Sequence, residues 1–414
     1  MERKKLTDKK QIGKLFALCF FAYFSTYLGR LNYSASLAEM IRTEGFTRGM
    51  AGLIGTGFFC TYGIGQLASG FLGDRLSGKW MVFGGLFVSG CMNGIMGCLH
   101  TTQMMTAAWC LNGMAQAFIW SPMLRVICDL LDADSRTGFC LYINFSVPLG
   151  TVSSYGLSAL MIGQSGWRAA FYAPCIMLLA MACIWLAGIR RFDTAPEKKA
   201  WGRSPAERNV PAGKERIFLP SGLLFLTAAL CVQGALKDGI TVWIPTYLEE
   251  THNIGSMAAI LGTMIIPLCN LAGVFMASLV NRGLARNEVL TASVFFGTCG
   301  MALVVLLCWG RLSAALALGM LAIATTSMTS VNTMLISVLP ARFGELGKAS
   351  SVSGILNSCV YAGCAVSTYG IGALSEAMGW NKTIFLWIAG AFAALGLCLL
   401  ISRRWKVYVS RTLI

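Results

Sequence analysis

AGLIGTGFFCTYGIGQLASGFLGDRLSGKWMVFGGLFVSGCMNGIMGCL, residues 51–99, confines its charge to Asp74, Arg75 and Lys79, a short island between two apolar runs. Each run, 51–73 and 80–99, holds about 20 residues, enough for an α-helix to cross a bilayer core of roughly 30 Å. The island is too short to do anything but turn the chain. This stretch therefore predicts two membrane helices joined by a tight charged turn.

The same alternation continues in both directions. Apolar spans run 15–38, 51–73, 80–99, 103–127, 138–162, 167–189, 218–248, 256–280, 289–309, 313–339, 348–375 and 380–402. The expected fold is an all-α membrane protein of twelve transmembrane helices. Composition agrees: 56% of the 414 residues are hydrophobic and 12% charged, where soluble domains carry about a quarter. Mean hydropathy is +0.65. The 46 glycines, interleaved with Ala and Ser, suit close helix packing in lipid. The apolar run Leu15 to Leu37 is too long for a signal peptide and contains Arg30, so it reads as a retained first helix.

The positive-inside rule sets orientation. With the N-terminus in the cytoplasm, 26 Lys and Arg fall inside and five outside (Arg42, Arg48, Arg168, Arg311 and Lys382). The net charge of +15 is thus explained by topology and points to no nucleic acid. Both termini are expected in the cytoplasm of a cell inner (plasma) membrane. The 16 cysteines show no metal spacing, and His100 and His252 form no constellation, so neither a metal nor a cofactor is expected.

Residues 190–217 are polar, with Pro196, Pro205 and Pro211. They read as a cytoplasmic linker between two six-helix bundles, 1–189 and 218–414. An internal repeat supports this division. Asp74-Arg75 and Asn281-Arg282 are 207 residues apart, and Arg30 and Lys237 are separated by the same 207. Two matches in one register suggest duplicated halves, related by pseudo-two-fold symmetry.

Of 33 Lys and Arg, only Arg30 and Lys237 lie deep in apolar spans. A charge at a helix centre costs about 2.5–3.5 kcal/mol on insertion scales, so it normally faces a polar path and has work to do. One such cation in each half fits an anion, and a phosphate monoester carries about −1.5 to −2 near neutral pH. Arg offers a planar fork and Lys a point charge. A dicarboxylate or a sugar acid satisfies the same arrangement. Tyr23, Tyr27 and Arg30, at spacings of four and three, share one helical face. Tyr27 is expected to donate its hydroxyl to the anion, with aromatic packing as the alternative role for both tyrosines. Tyr23, Tyr361 and Asn144 are further substrate-binding candidates. Among the acids only Asp238 lies deep in a span, and on a regular helix it points about 100° away from Lys237. The set Asp74, Arg75 and Lys79 is expected to form an inter-helix charge cluster that breaks during gating.

These residues resemble the major facilitator superfamily, whose loop signature is similar to Gly70-Phe71-Leu72-Gly73-Asp74-Arg75-Leu76-Ser77-Gly78-Lys79. Within it the chain is similar to the organophosphate:inorganic phosphate antiporters, which include glycerol phosphate and hexose phosphate carriers. The similar stretches are Tyr27-Leu28-Gly29-Arg30-Leu31-Asn32, Glu44-Gly45-Phe46-Thr47-Arg48-Gly49, Trp120-Ser121-Pro122 with Arg125, Trp167-Arg168-Ala169-Ala170-Phe171-Tyr172, and Lys237-Asp238-Gly239-Ile240 leading to Trp243-Ile244-Pro245-Thr246-Tyr247-Leu248. The resemblance implies that Arg30 clamps phosphate, with Lys237 in place of a second arginine, and that Tyr27 and Tyr361 match site tyrosines. Where the glycerol phosphate carriers place a histidine, this chain has Phe145 beside Asn144.

The expected function is secondary transport of a small organic anion, a phosphorylated metabolite, by alternating access. Inorganic phosphate is the expected counter-substrate and the lipid bilayer the surroundings, with the chain acting as a monomer. The alternatives are a proton- or sodium-coupled sugar-acid symporter and a transporter-like sugar-phosphate sensor. The symporter family usually has Asp before the first-helix Arg, where this chain has Gly29. No catalytic constellation points to an enzyme.

Overall fold

A computed structural model describes residues 6, 8–73, 76–131, 139, 142–143, 145–192, 222–284, 287–342 and 349–412. The described residues are built from helices: α1 (Lys9–Glu44), α2 (Arg48–Gly73), α3 (Gly78–Cys98), α4 (Thr102–Leu130), α5 (Ser146–Ser165) and α6 (Ala169–Ile189). There follow α7 (Leu223–His252), α8 (Ser256–Gly283), α9 (Glu288–Trp309) and α10 (Ala314–Val338). Two more helices, α11 (349–378) and α12 (380–412), meet at Gly379, whose φ of 78° breaks the helical path. Among the described residues, eight helical stretches are long and apolar enough to cross a membrane by length and composition, the last of them running through Gly379.

Helices and apolar spans do not share boundaries. The first span is expected at 15–38, while α1 runs from Lys9 to Glu44. Bilayer thickness sets the apolar length, whereas caps set the helix length. Asp8 caps the start by accepting from the Lys10 amide at 2.9 Å, and Gly45 ends α1 in the left-handed region at φ 68°. The fifth span is expected at 138–162; α5 is described from Ser146, and Phe139, Tyr142 and Ile143 before it are also helical.

Two helices carry a wider turn. Ala235–Gly239 in α7 and Thr333–Val338 in α10 are π-helical, a form that tends to occur at functional positions.

The chain divides into two compact units. The first comprises Met1–Phe46, Leu53–Ala200 and Ser256–Met264. Its core packs Leu15, Leu18 and Ala22 of α1 with Leu86 of α3, Met123 of α4 and Trp185 of α6, all buried. The second comprises Thr47–Gly52, Trp201–Gly255 and Ile265–Ile414. Close backbone approach builds it. A Cβ at Gly234 would collide with the carbonyl of Val360, and one at Gly363 with that of Cys231, so α7 and α11 touch along small residues. In the same unit Arg48 pairs with Glu250 at 2.7 Å, and Trp380 donates to that carboxylate at 2.8 Å. Of the expected linker, 193–217 lies outside the described residues.

Candidate functional site

In the first unit, Arg30 sits half-buried on α1, and its guanidinium lies over aromatic rings of α2. The ring centroids are 4.7 Å away for Tyr62, 5.1 Å for Phe58 and 5.8 Å for Phe59. Phe58 and Tyr62 are one turn apart and stack at 5.8 Å, which presents their faces side by side. The negative face of an aromatic ring attracts a cation, by about 0.5–2 kcal/mol, without neutralising it. The rings thus orient Arg30 and leave its charge in place.

The backbone beneath Arg30 is held by buried amides. The carbonyl of Gly29 accepts from Asn93 at 3.1 Å, Asn112 at 3.0 Å and Gln116 at 3.3 Å. Ser89 donates to Asn112 at 2.6 Å, and Asn32 donates to Asn93 at 2.8 Å and to the Ala170 carbonyl at 3.2 Å. All five side chains are buried. In a membrane such side chains hold helices together, each bond contributing about 0.6 kcal/mol on average. Here α3, α4 and α6 are tied to α1 close to the cation. Gly29 is required for this approach: a Cβ would lie 2.5 Å from Leu178 Cδ1 and 2.8 Å from Asn93 Nδ2. Sequence reasoning passed over Asn93, Asn112 and Gln116, although amides inside spans 80–99 and 103–127 are a readable signal.

Tyr23 and Tyr27 meet edge to face at 5.5 Å, and Tyr23 lies 4.5 Å from the Trp120 ring. Tyr23 also packs against the first unit's core. Tyr27 lies against α5, where a Cβ at Gly150 would come 2.9 Å from the Tyr27 Cβ.

In the second unit Lys237 and Asp238 occupy the π turn of α7 and pair directly, Nζ to Oδ1, at 2.9 Å. Adjacent residues point apart on a helix, yet here the two side chains meet. The turn is wider than an α-helical one, and the four-carbon lysine stem folds back to its neighbour. The second carboxylate oxygen of Asp238 lies 3.6 Å from Cys364 Sγ on α11. Tyr361 is half-buried one turn before Cys364, on the same helix. Thr241 donates to the Lys237 carbonyl at 2.6 Å. Asn144, Asp74 and Arg75 lie outside the described residues.

The sequence reading also missed a buried acid. Glu288, in the first turn of α9, is 1% exposed and accepts from Arg342 at 2.9 Å and from Trp405 at 2.9 Å. That arrangement seals the carboxylate, unlike the partly exposed pair at Lys237. Among the described residues no group of three or more His, Cys, Asp or Glu could hold a metal ion.

The profile of the Major Facilitator Superfamily matches residues 19–368. A probable hexose phosphate transport protein of Chlamydia muridarum is 24% identical, the match covering 96% of this chain and 92% of the relative. The membrane sensor protein UhpC of Salmonella typhimurium is 20% identical, over 91% of this chain and 90% of that one. Among solved structures, an occupied-state bacterial homologue of the human lysosomal transporter Spinster superposes with a TM-score of 0.82 at 12% identity, covering 97% and 98% of the two chains.

Proposed function

Because the chain belongs to the Major Facilitator Superfamily, a family of transporters rather than enzymes, we propose that it is a secondary transporter of phosphorylated sugars, exchanging them for inorganic phosphate by alternating access. The observation that carries this reading is Arg30, a cation deep in an apolar helix, oriented by three aromatic rings and with its backbone pinned by buried amides. So much structure spent on one positive charge suits an anionic ligand. The relative named as a hexose phosphate transport protein supports the phosphorylated-sugar class.

In this reading Arg30 grips the phosphoryl oxygens with its planar fork, Lys237 adds a point charge, and Tyr27 and Tyr361 donate hydroxyl groups. Tyr23 supports Tyr27, Asn144 is a further polar contact, and Asp74 and Arg75 gate at the charged turn. Two six-helix bundles, 1–189 and 218–414, joined by 190–217, would carry these residues with both termini in the cytoplasm of a plasma membrane. Gly29, where the symporter family usually carries Asp, favours exchange over the symporter reading.

The test is uptake of a labelled phosphate-ester panel into liposomes loaded with inorganic phosphate. Uptake that depends on internal phosphate, and disappears in both Arg30→Ala and Lys237→Ala, is the expected outcome. Uptake of no ester under any gradient would sink the transporter reading. It would leave the second one, a sugar-phosphate sensor, which the likeness to UhpC favours.

A further inference from the structure

The pairing of Lys237 with its neighbour changes what the second-unit cation offers a ligand. Nζ and Oδ1 stand 2.9 Å apart, yet the two side chains remain 24% and 27% exposed. Glu288 shows the contrast, a carboxylate enclosed by Arg342 and a tryptophan N–H and inaccessible to a third charge. Asp238 is instead partly open, its second oxygen meeting the weakly polar Cys364 Sγ at 3.6 Å.

Coulomb energy scales with the product of charges. A carboxylate beside Lys237 cancels most of the ammonium field felt by an arriving anion. The loss is twice as large for a dianion as for a monoanion.

We propose that Asp238 is a specificity-determining residue that tunes the site to singly charged oxyanions, namely the protonated form of a phosphate monoester and anions of the same charge. This rests on the reading that Arg30 and Lys237 hold the anion. The second ionisation of a phosphate monoester falls near pH 6, so both charge forms are available to choose between.

The experiment compares a hexose 6-phosphate, a dianion at pH 8, with the hexose 6-sulfate, a permanent monoanion. Both compete against labelled ester uptake into phosphate-loaded liposomes, for the wild type, Asp238→Asn and Asp238→Glu. Asp238→Asn should raise the preference for phosphate over sulfate about ten-fold or more, and Asp238→Glu should retain the wild-type ratio. A ratio that is unchanged in Asp238→Asn, or that moves towards sulfate, overturns the proposal. Should Asp238→Asn not transport, the same ratio is read from ligand-induced thermal stabilisation of the purified full chain. If neither Asp238→Asn nor Asp238→Ser gives folded protein, the carboxylate is structural and the proposal falls. Lys237→Ala separates the two levels. Wild-type handling of both esters by Lys237→Ala sinks the underlying two-cation reading, whereas its inactivity beside an unmoved Asp238→Asn ratio sinks this inference alone.

Discussion

The same substitution at two glycines of α1 should move stability in opposite directions. An alanine methyl at position 29 would stand 2.5 Å from Leu178 Cδ1 and 2.8 Å from Asn93 Nδ2. The leucine methyl can swing aside. Asn93 is held harder, since it donates to the Gly29 and Ser89 carbonyls and accepts from Asn32. Overpacking of this kind costs about 1–3 kcal/mol, and a loosened interhelical bond adds about 0.6 kcal/mol. The better helix propensity of alanine returns about 1 kcal/mol. The net is a destabilisation of about 0.5–2.5 kcal/mol. Gly13, exposed on the same helix, has no atom within 4 Å of the point where a Cβ would stand. Gly13→Ala should therefore gain up to about 1 kcal/mol. At about 2 °C per kcal/mol for a large chain, the midpoints of the two variants should differ by about 1–7 °C. Thermal unfolding of the purified protein in detergent, followed by tryptophan fluorescence, reads this directly. Gly29→Ala as stable as Gly13→Ala would refute the claim that the buried amides fix the backbone beside Arg30.

Removing Arg342 should strand the buried Glu288 carboxylate and cost about 3 kcal/mol. The double variant Glu288→Leu with Arg342→Ala should recover part of that loss, and a double variant less stable than Arg342→Ala alone would contradict it. Replacing the ring under Arg30 should weaken anion binding: Tyr62→Leu is expected to raise the apparent KM several-fold, in line with about 0.5–2 kcal/mol for a cation over an aromatic face. Tyr62→Phe keeps the ring and should raise KM less. Equal KM values for the two variants would remove the rings from the account of Arg30.

The helices were legible because the bilayer imposes one length on many segments, and an apolar window about 20 residues long measures that length. What the window cannot measure is the helix beyond it. Asp8 and Gly45 carry α1 past both ends of its apolar run, a matter of caps and backbone angle rather than hydropathy. Arg30 could be singled out because a lone charge in lipid is costly whatever surrounds it. The amides that serve it could not be assigned in the same way. Asn93, Asn112 and Gln116 are merely uncharged interruptions until the helices bring them to one carbonyl oxygen. The pairing of Lys237 with Asp238 is hidden for another reason: helical spacing sets where Cβ atoms point, not where a four-carbon stem folds, and the turn that holds them is π-helical.

The π turn in α7 has a consequence for how this helix tolerates length changes. A π turn accommodates one residue more than the α path needs, and the surplus is absorbed locally. Upstream, Gln233 donates to the Met328 carbonyl, and downstream, Trp243 donates to that of Thr368. Excising a single residue within Ala235–Gly239 would restore α geometry and leave both anchors on their present faces. The same excision elsewhere between the two anchors would turn one of them about 100° from its partner. The segment bearing Lys237 is thus the place on this helix where the chain can be spliced without rotating what lies on either side.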